Sequence, residues 1–362
     1  MTVRATNDPS TWVRPELRAL KAYTLDQVEC RFKLDQNEVP WDLPRRLKEE
    51  AARRLLERNW AFYPDFHSDR LRGLLAERHD WPIEGVLVGN GSNELLGICL
   101  EALVAPGVEV LGAEPSFGLY PMFVTRAGGT PHFLAPRSDL KLPFDELLEA
   151  VRENPRRPLL LCTPNNPTGD ALAPTQVGEL LASLEAPLLL DNAYGEFCRY
   201  DYRPLLREHP HLVLFRTFSK AWSLGGMRLG YLMADPRLVG ELIKVKLPYN
   251  LSHASAIIGE VVLENPQASV RSVNVLKGRR EQWVEELRAL GLEVLPSEGN
   301  FFLVRSDHAG ALRDGLNERG ILVREVGHYP GLAGCLRFGV GSGPALRATK
   351  AALAEILEEV NK

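Results

Sequence analysis

The rhythm of apolar residues changes twice along this chain. Leu43, Leu47, Ala51 and Leu55 recur every fourth residue, which predicts an amphipathic helix from Leu43 to about Asn59 with Asp42 as its N-cap. From about residue 86 to 232 the pattern turns into short, nearly continuous apolar runs separated by helix-like stretches: VLVGN, EVLGAEPSF, PLLLCTPNNPTG, APLLLDNAY, LVLFRTFSK and RLGYLM. Runs of this kind are expected of strands buried on both faces of a mainly parallel sheet. Near residue 257 long helical segments take over, among them GRREQWVEELRALG, with Trp283, Leu287 and Leu290 on one face and Gly291 as its C-cap. NFFLVR, GILVREV and GCLRFGVG then alternate with further helices, the last starting at about Ala345. The expected architecture is α/β. Residues 1–42 form an arm and part of a small domain, 43–255 a large domain with a mostly parallel central sheet flanked by helices, and 256–362 a smaller α+β domain.

Composition narrows the function classes. The 362 residues suit two domains, and a net charge of −4 gives no general attraction to nucleic acid or anionic membrane. No apolar stretch approaches the ~20 residues of a membrane span. The opening MTVRATNDPSTWVRPELRAL lacks the apolar centre of a signal peptide. Five scattered cysteines without a CxxC pair read as reduced thiols of a cytoplasmic protein. The histidines form no HExxH and sit by no cysteine cluster, so no metal site is expected.

A parallel sheet directs attention to the residues beyond its strand ends, where open α/β sheets bind ligands. Those positions are Gly89–Glu94, Ser116–Phe117, Asn165–Gly169, Asp191–Tyr194, Ser219–Lys220 and Arg228. GNGSNELLG is a glycine turn leading into a helix, which is either a plain cap or a seat for an anion on free N–H groups. It lacks the lysine of a Walker loop and has Glu94 where a dinucleotide fingerprint needs glycine. Asp191 ends a buried strand and needs a partner: an N-cap, an ion pair or a protonated heterocyclic nitrogen all satisfy it. A lysine in a dry site, such as Lys220, loses charge and becomes nucleophilic toward carbonyls. Ser219 and Arg228 are natural phosphate ligands. An amine, phosphate donors, a carboxylate and the flat ring of Phe117 together meet the needs of pyridoxal 5′-phosphate, with Tyr194 in reach of its ring hydroxyl.

The motifs KLDQNEVP, FYPD, GNGSNE, PSFGLY, NNPTG, DNAY, TFSKAWSLGGMRLGY, LPYNLS, NFFLVR, GILVRE and GCLRFGVG follow one another in the order of a known family. From about Tyr23 to its end the chain resembles the fold-type I pyridoxal-phosphate aminotransferases, and among them the histidinol-phosphate branch. The resemblance implies that Lys220 holds the cofactor aldehyde, Asp191 pairs with the ring nitrogen, and Tyr194 and Asn166 contact the phenolic oxygen. It gives the phosphate to Ser219, Arg228 and the backbone of Ser92 and Asn93, and the ring face to Phe117. It assigns Arg337 to the substrate carboxylate and places Arg324, Tyr23 and Asn37 in the substrate pocket. Tyr63 would reach in from the neighbouring subunit of a homodimer with shared sites.

The implied reaction moves an amino group from a small-molecule donor to a 2-oxo acid. Histidinol phosphate and 2-oxoglutarate would give imidazole acetol phosphate and glutamate, a step of histidine biosynthesis. An aromatic or other amino-acid aminotransferase and a phosphothreonine decarboxylase are the alternatives on the same fold. Two departures bear on substrate choice: Asn192 stands where the family usually has glutamate, and Phe117 where tyrosine is frequent. A transcription regulator of the same fold is not expected, because KLDQNEVP begins at Lys33, too early for a preceding winged-helix domain.

Overall fold

The computed structural model describes residues 8–22, 24 and 28–360. Among the described residues thirteen strands run in chain order: β1 (Phe32–Lys33), β2 (Val86–Gly89), β3 (Glu109–Ala113), β4 (Thr130–Leu134), β5 (Leu159–Cys162), β6 (Leu188–Asp191), β7 (Leu212–Thr217), β8 (Gly230–Met233), β9 (Glu293–Val294), β10 (Phe301–Arg305), β11 (Ile321–Leu322), β12 (Arg324–Glu325) and β13 (Cys335–Gly339). Seven form the central sheet in the order β2-β8-β7-β6-β5-β3-β4. β8 is antiparallel to both neighbours, and the other pairs are parallel.

The continuous apolar runs have the cause expected of them. Along β5, β6 and β7, Leu159, Leu161, Leu188, Leu190, Leu212 and Leu214 enter one core. Leu160, Leu189, Val213 and Phe215 enter the other, on the opposite face. Alternate side chains point to opposite faces, so both faces must be apolar when helices cover each of them. Burying each such leucine contributes about 1.5–3 kcal/mol relative to exposure.

Residues beyond 290 build a second, antiparallel sheet in the order β12-β13-β10-β9. Fully buried Trp283, on the helix Gln267–Arg288, packs near Phe302 of β10 with ring centroids 6.1 Å apart. The amino-terminal segment joins this region: β1 pairs in parallel with β11, and Gly339 N–H donates to the Leu34 carbonyl at 2.7 Å.

Some local expectations need correction. The helix expected from Leu43 spans Arg45–Leu56, and its N-cap is Pro44, not Asp42. Leu43 precedes a proline, whose ring disfavours helical backbone at that residue. The Asp42 carboxylate instead accepts the Leu43 N–H at 2.7 Å. The edge strand β4, with sequence TPHFL, was not among the apolar runs. It carries a proline and alternates in exposure, as an edge strand can. The C-cap of the helix Gln267–Arg288 is Ala289, not Gly291, which lies two residues beyond it at φ +83, a backbone that glycine adopts without strain.

Candidate active site

The carboxyl ends of β2, β3, β5, β6 and β7 converge on a cavity of about 220 Å³. Arg228 precedes its strand rather than following it, yet it reaches the same edge because β8 runs antiparallel.

One end of the cavity is built for an anion. The helix Ser92–Leu103 starts there, and its first-turn N–H groups have no acceptor within the helix. Its N-cap is Gly91, at φ +81 and ψ 166, a conformation open essentially to glycine alone. A Cβ on Gly91 would stand 2.8 Å from the Arg228 guanidinium, and one on Gly230 would stand 2.4 Å from the Ser92 nitrogen. The Arg228 side chain donates to Ser219 Oγ at 3.4 Å. Glu94 braces the loop: its carboxylate accepts the Asn90 N–H at 2.6 Å and the Asn250 amide at 3.0 Å.

The middle of the cavity holds the titrating groups. Asp191 is 7% exposed, and burial pushes its carboxyl pKa up. Two neutral donors counter that: the Ala193 N–H to Oδ1 at 3.1 Å and the Tyr120 hydroxyl to Oδ2 at 2.8 Å. Lys220 Nζ donates to the Gln36 carbonyl at 2.7 Å. Burial, and after it the positive charge of Arg337, holds this amine down at about 7. The buried Tyr194 hydroxyl accepts the Asn37 amide at 3.1 Å.

The far wall carries two arginines. Arg324 and Arg337 stand directly opposite each other in the β12–β13 register. Arg337, 9% exposed, donates to Asn166 Oδ1 and to the Asp35 carbonyl. Its Nε is buried without an acceptor among the described residues. A buried N–H left unpaired costs about 1–3 kcal/mol, and a bound carboxylate would relieve it.

Twelve of the fourteen residues expected in the site line this one cavity: Lys220, Asp191, Tyr194, Asn166, Phe117, Ser92, Asn93, Ser219, Arg228, Asn37, Arg324 and Arg337. Tyr63 does not. It is 78% exposed and stacks on Tyr249, with ring centroids 4.5 Å apart. Tyr23 lies outside the described residues. Asn192 is turned away from the cavity: its amide nitrogen donates to the Thr163 carbonyl, and its oxygen accepts from Arg216 at 2.7 Å. Arg216 in turn pairs with Glu196 at 2.8 Å. Tyr120 and Tyr329 were not anticipated. Tyr329 lines the cavity from a loop without a motif, whereas Tyr120 stands three residues after Phe117, a spacing that marks a shared turn.

The donor set fits a phosphorylated aldehyde with a basic ring nitrogen. It offers an amine that is neutral in a large fraction near pH 7, an N–H cluster with a hydroxyl and a guanidinium, and a buried carboxylate. An α/β fold with such a site defines a class of enzyme, and the comparisons agree. The family model described as Aminotransferase class I and II matches residues 31–355, so the chain belongs to that family. A histidinol-phosphate aminotransferase of Chlorobium phaeovibrioides is 36% identical over 337 residues, 92% of this chain and 94% of its own length. The crystal structure of histidinol-phosphate aminotransferase from Sinorhizobium meliloti in complex with pyridoxal-5′-phosphate superposes with a TM-score of 0.86 at 22% identity, covering 96% of this chain and 98% of that one. L-threonine-O-3-phosphate decarboxylase of Porphyromonas gingivalis gives 0.78 at 23% identity, covering 90% and 99%. At such identities the superpositions establish the fold alone; both reactions occur on it.

Proposed function

We propose that this aminotransferase moves the amino group of histidinol phosphate to 2-oxoglutarate, with pyridoxal 5′-phosphate as cofactor. The observation that carries the reading is the single cavity in which a lysine amine at about 7 faces a buried carboxylate, a helix N-terminus and two arginines. The names of the curated relatives support the choice of donor.

When bound, the cofactor supplies an aldehyde for the substrate amine and a ring that accepts electrons. Ser92, Asn93, Ser219 and Arg228 would hold its phosphate, Phe117 its face, Asp191 its ring nitrogen, and Tyr194 and Asn166 its phenolic oxygen. Lys220 is at once nucleophile and proton carrier. An amine near 7 is neutral in part at neutral pH, so it can take a proton from the substrate α-carbon and return it. Arg337 binds the substrate carboxylate through its unpaired Nε–H. With Arg324 opposite, one wall serves a phosphate ester in one half-reaction and a dicarboxylate in the other, because the guanidinium fork fits both anions.

The same reading includes a homodimer working in the cytoplasm. Trp60, Phe62, Tyr63 and Leu247 are 66%, 71%, 78% and 73% exposed, an apolar surface of the kind that a partner covers. A second copy seated there would bring Tyr63 to a neighbouring cavity. Among the described residues, no helix is long and apolar enough to cross a membrane.

The test is a substrate panel on the purified protein loaded with pyridoxal 5′-phosphate, read as loss of the visible band in single turnovers. Histidinol phosphate is expected to react with the highest kcat/KM, ahead of phenylalanine and O-phosphothreonine. Faster reaction with phenylalanine would replace the donor, and carbon dioxide release from O-phosphothreonine would replace the reaction.

A further inference from the structure

Tyr120 touches two of the groups on which the cofactor seat depends, although it follows a loop rather than a strand. It is 1% exposed, and its hydroxyl donates to Asp191 Oδ2 at 2.8 Å. Its ring meets Phe117 edge to face, with centroids 5.4 Å apart and planes at 81°. The local chain explains how one side chain does both. The Tyr120 N–H donates to the Phe117 carbonyl at 2.9 Å, closing a turn that leads into the helix Tyr120–Arg126. Phe117 and Tyr120 are thus joined by a local turn, whereas Asp191 comes from β6, 71 residues further on.

We propose that Tyr120 is a positioning residue for the cofactor: its hydroxyl fixes one oxygen of Asp191, and its ring edge fixes the Phe117 platform. The proposal rests on the pyridoxal-phosphate reading of the cavity. A buried carboxylate with a single backbone donor can rotate and has a raised proton affinity; a second donor holds it ionised and oriented. The other titrating groups acting on this carboxylate or sharing its field are Lys220, Cys162 and Tyr194, and burial pushes the Cys162 thiol and the Tyr194 phenol up, so both are neutral. Tyr120 is itself pushed far up and stays a donor throughout the working pH range. An ionised Asp191 would hold a proton on the cofactor's ring nitrogen, and that positive charge would lower the pH at which the visible band titrates.

The test compares wild type, Tyr120→Phe, Tyr120→Leu, Asp191→Asn and the double variant Tyr120→Phe/Asp191→Asn. Cofactor affinity is measured by equilibrium dialysis, and the visible band of each holoenzyme is titrated with pH. Loss of one hydrogen bond to a charged group predicts that Tyr120→Phe weakens pyridoxal-phosphate binding about ten- to a hundredfold. It also moves the midpoint of the band to higher pH, a shift that packing damage alone does not produce. In the Asp191→Asn background the same change should have less than a threefold effect. Tyr120→Leu, which removes the ring edge as well, should bind more weakly still. Wild-type affinity and an unshifted midpoint in Tyr120→Phe overturn the proposal, as does an equal loss with and without Asp191. A wild-type protein that binds no cofactor overturns the cofactor reading instead.

Discussion

Replacing Lys220 with methionine should make the cofactor-free protein more stable at acid pH, and the size of the gain follows from its surroundings. Burial and the Arg337 charge bring the amine from 10.5 to about 7 in the folded chain. Between those values the unfolded chain binds a proton that the folded chain does not. The contribution of this group to stability therefore rises with pH across the window from about 7 to 10.5 and is at its most unfavourable below 7. At about 1.4 kcal/mol per pH unit the ceiling is about 5 kcal/mol, reduced by whatever solvent reaches the partly exposed amine. Methionine keeps the length of the side chain and does not titrate. Urea unfolding of cofactor-free wild type and Lys220→Met should show the variant more stable by about 2–5 kcal/mol at pH 6, with the gap narrowing to under about 1 kcal/mol at pH 10. A gap that stays constant with pH refutes the argument, because it would mean that the lysine titrates alike in both states. The same depression leaves about half of the amines neutral at pH 7, against roughly one in 3,000 for an unperturbed lysine. Lys220→Met should accordingly have no measurable transamination.

Three further outcomes test other parts of the site. Arg337→Lys loses the planar fork and should raise KM for the amino donor about ten- to a hundredfold while lowering kcat less, as read in steady-state assays. Gly91→Ala forces a backbone that costs about 1–3 kcal/mol and drives a methyl into Arg228, so thermal unfolding should show destabilisation and dialysis should show at least a tenfold loss of cofactor affinity. Trp60→Ser combined with Leu247→Ser removes two exposed apolar side chains from the surface proposed to pair two copies, and should shift the sedimenting species from dimer to monomer at micromolar concentration, with kcat falling alongside; a wild type that sediments as a monomer, or a variant with an unchanged sedimentation coefficient, refutes pairing through this surface.

Much of the cavity was legible because its chemistry is local in sequence. Ser219, Lys220 and Arg228 sit within one loop, and Asp191 and Tyr194 within one turn, each placed by the apolar strand beside it. A strand end in a parallel sheet points to the ligand edge whatever the rest of the chain does. Tyr120 escaped this reasoning because nothing near residue 120 records that Asp191 will stand beside it. The far side of Asn192 was equally silent: the Arg216 guanidinium that meets its amide comes from the neighbouring strand β7. Leu43 was misplaced for a simpler reason, since the apolar spacing outweighed the proline that follows it.

The order of residues alone determined that a buried sheet would form and which side chains would stand at its edge, because two-faced burial demands continuous apolar strands and leaves polar groups only at their ends. Tertiary structure decided what those groups face. The β12–β13 register sets Arg324 opposite Arg337, the antiparallel course of β8 swings Arg228 to the cavity, and packing draws Lys220 into a site dry enough to bring its amine to about 7. Desolvation and mutual field depend on distances between segments far apart in the chain, and those distances exist only once the chain has folded.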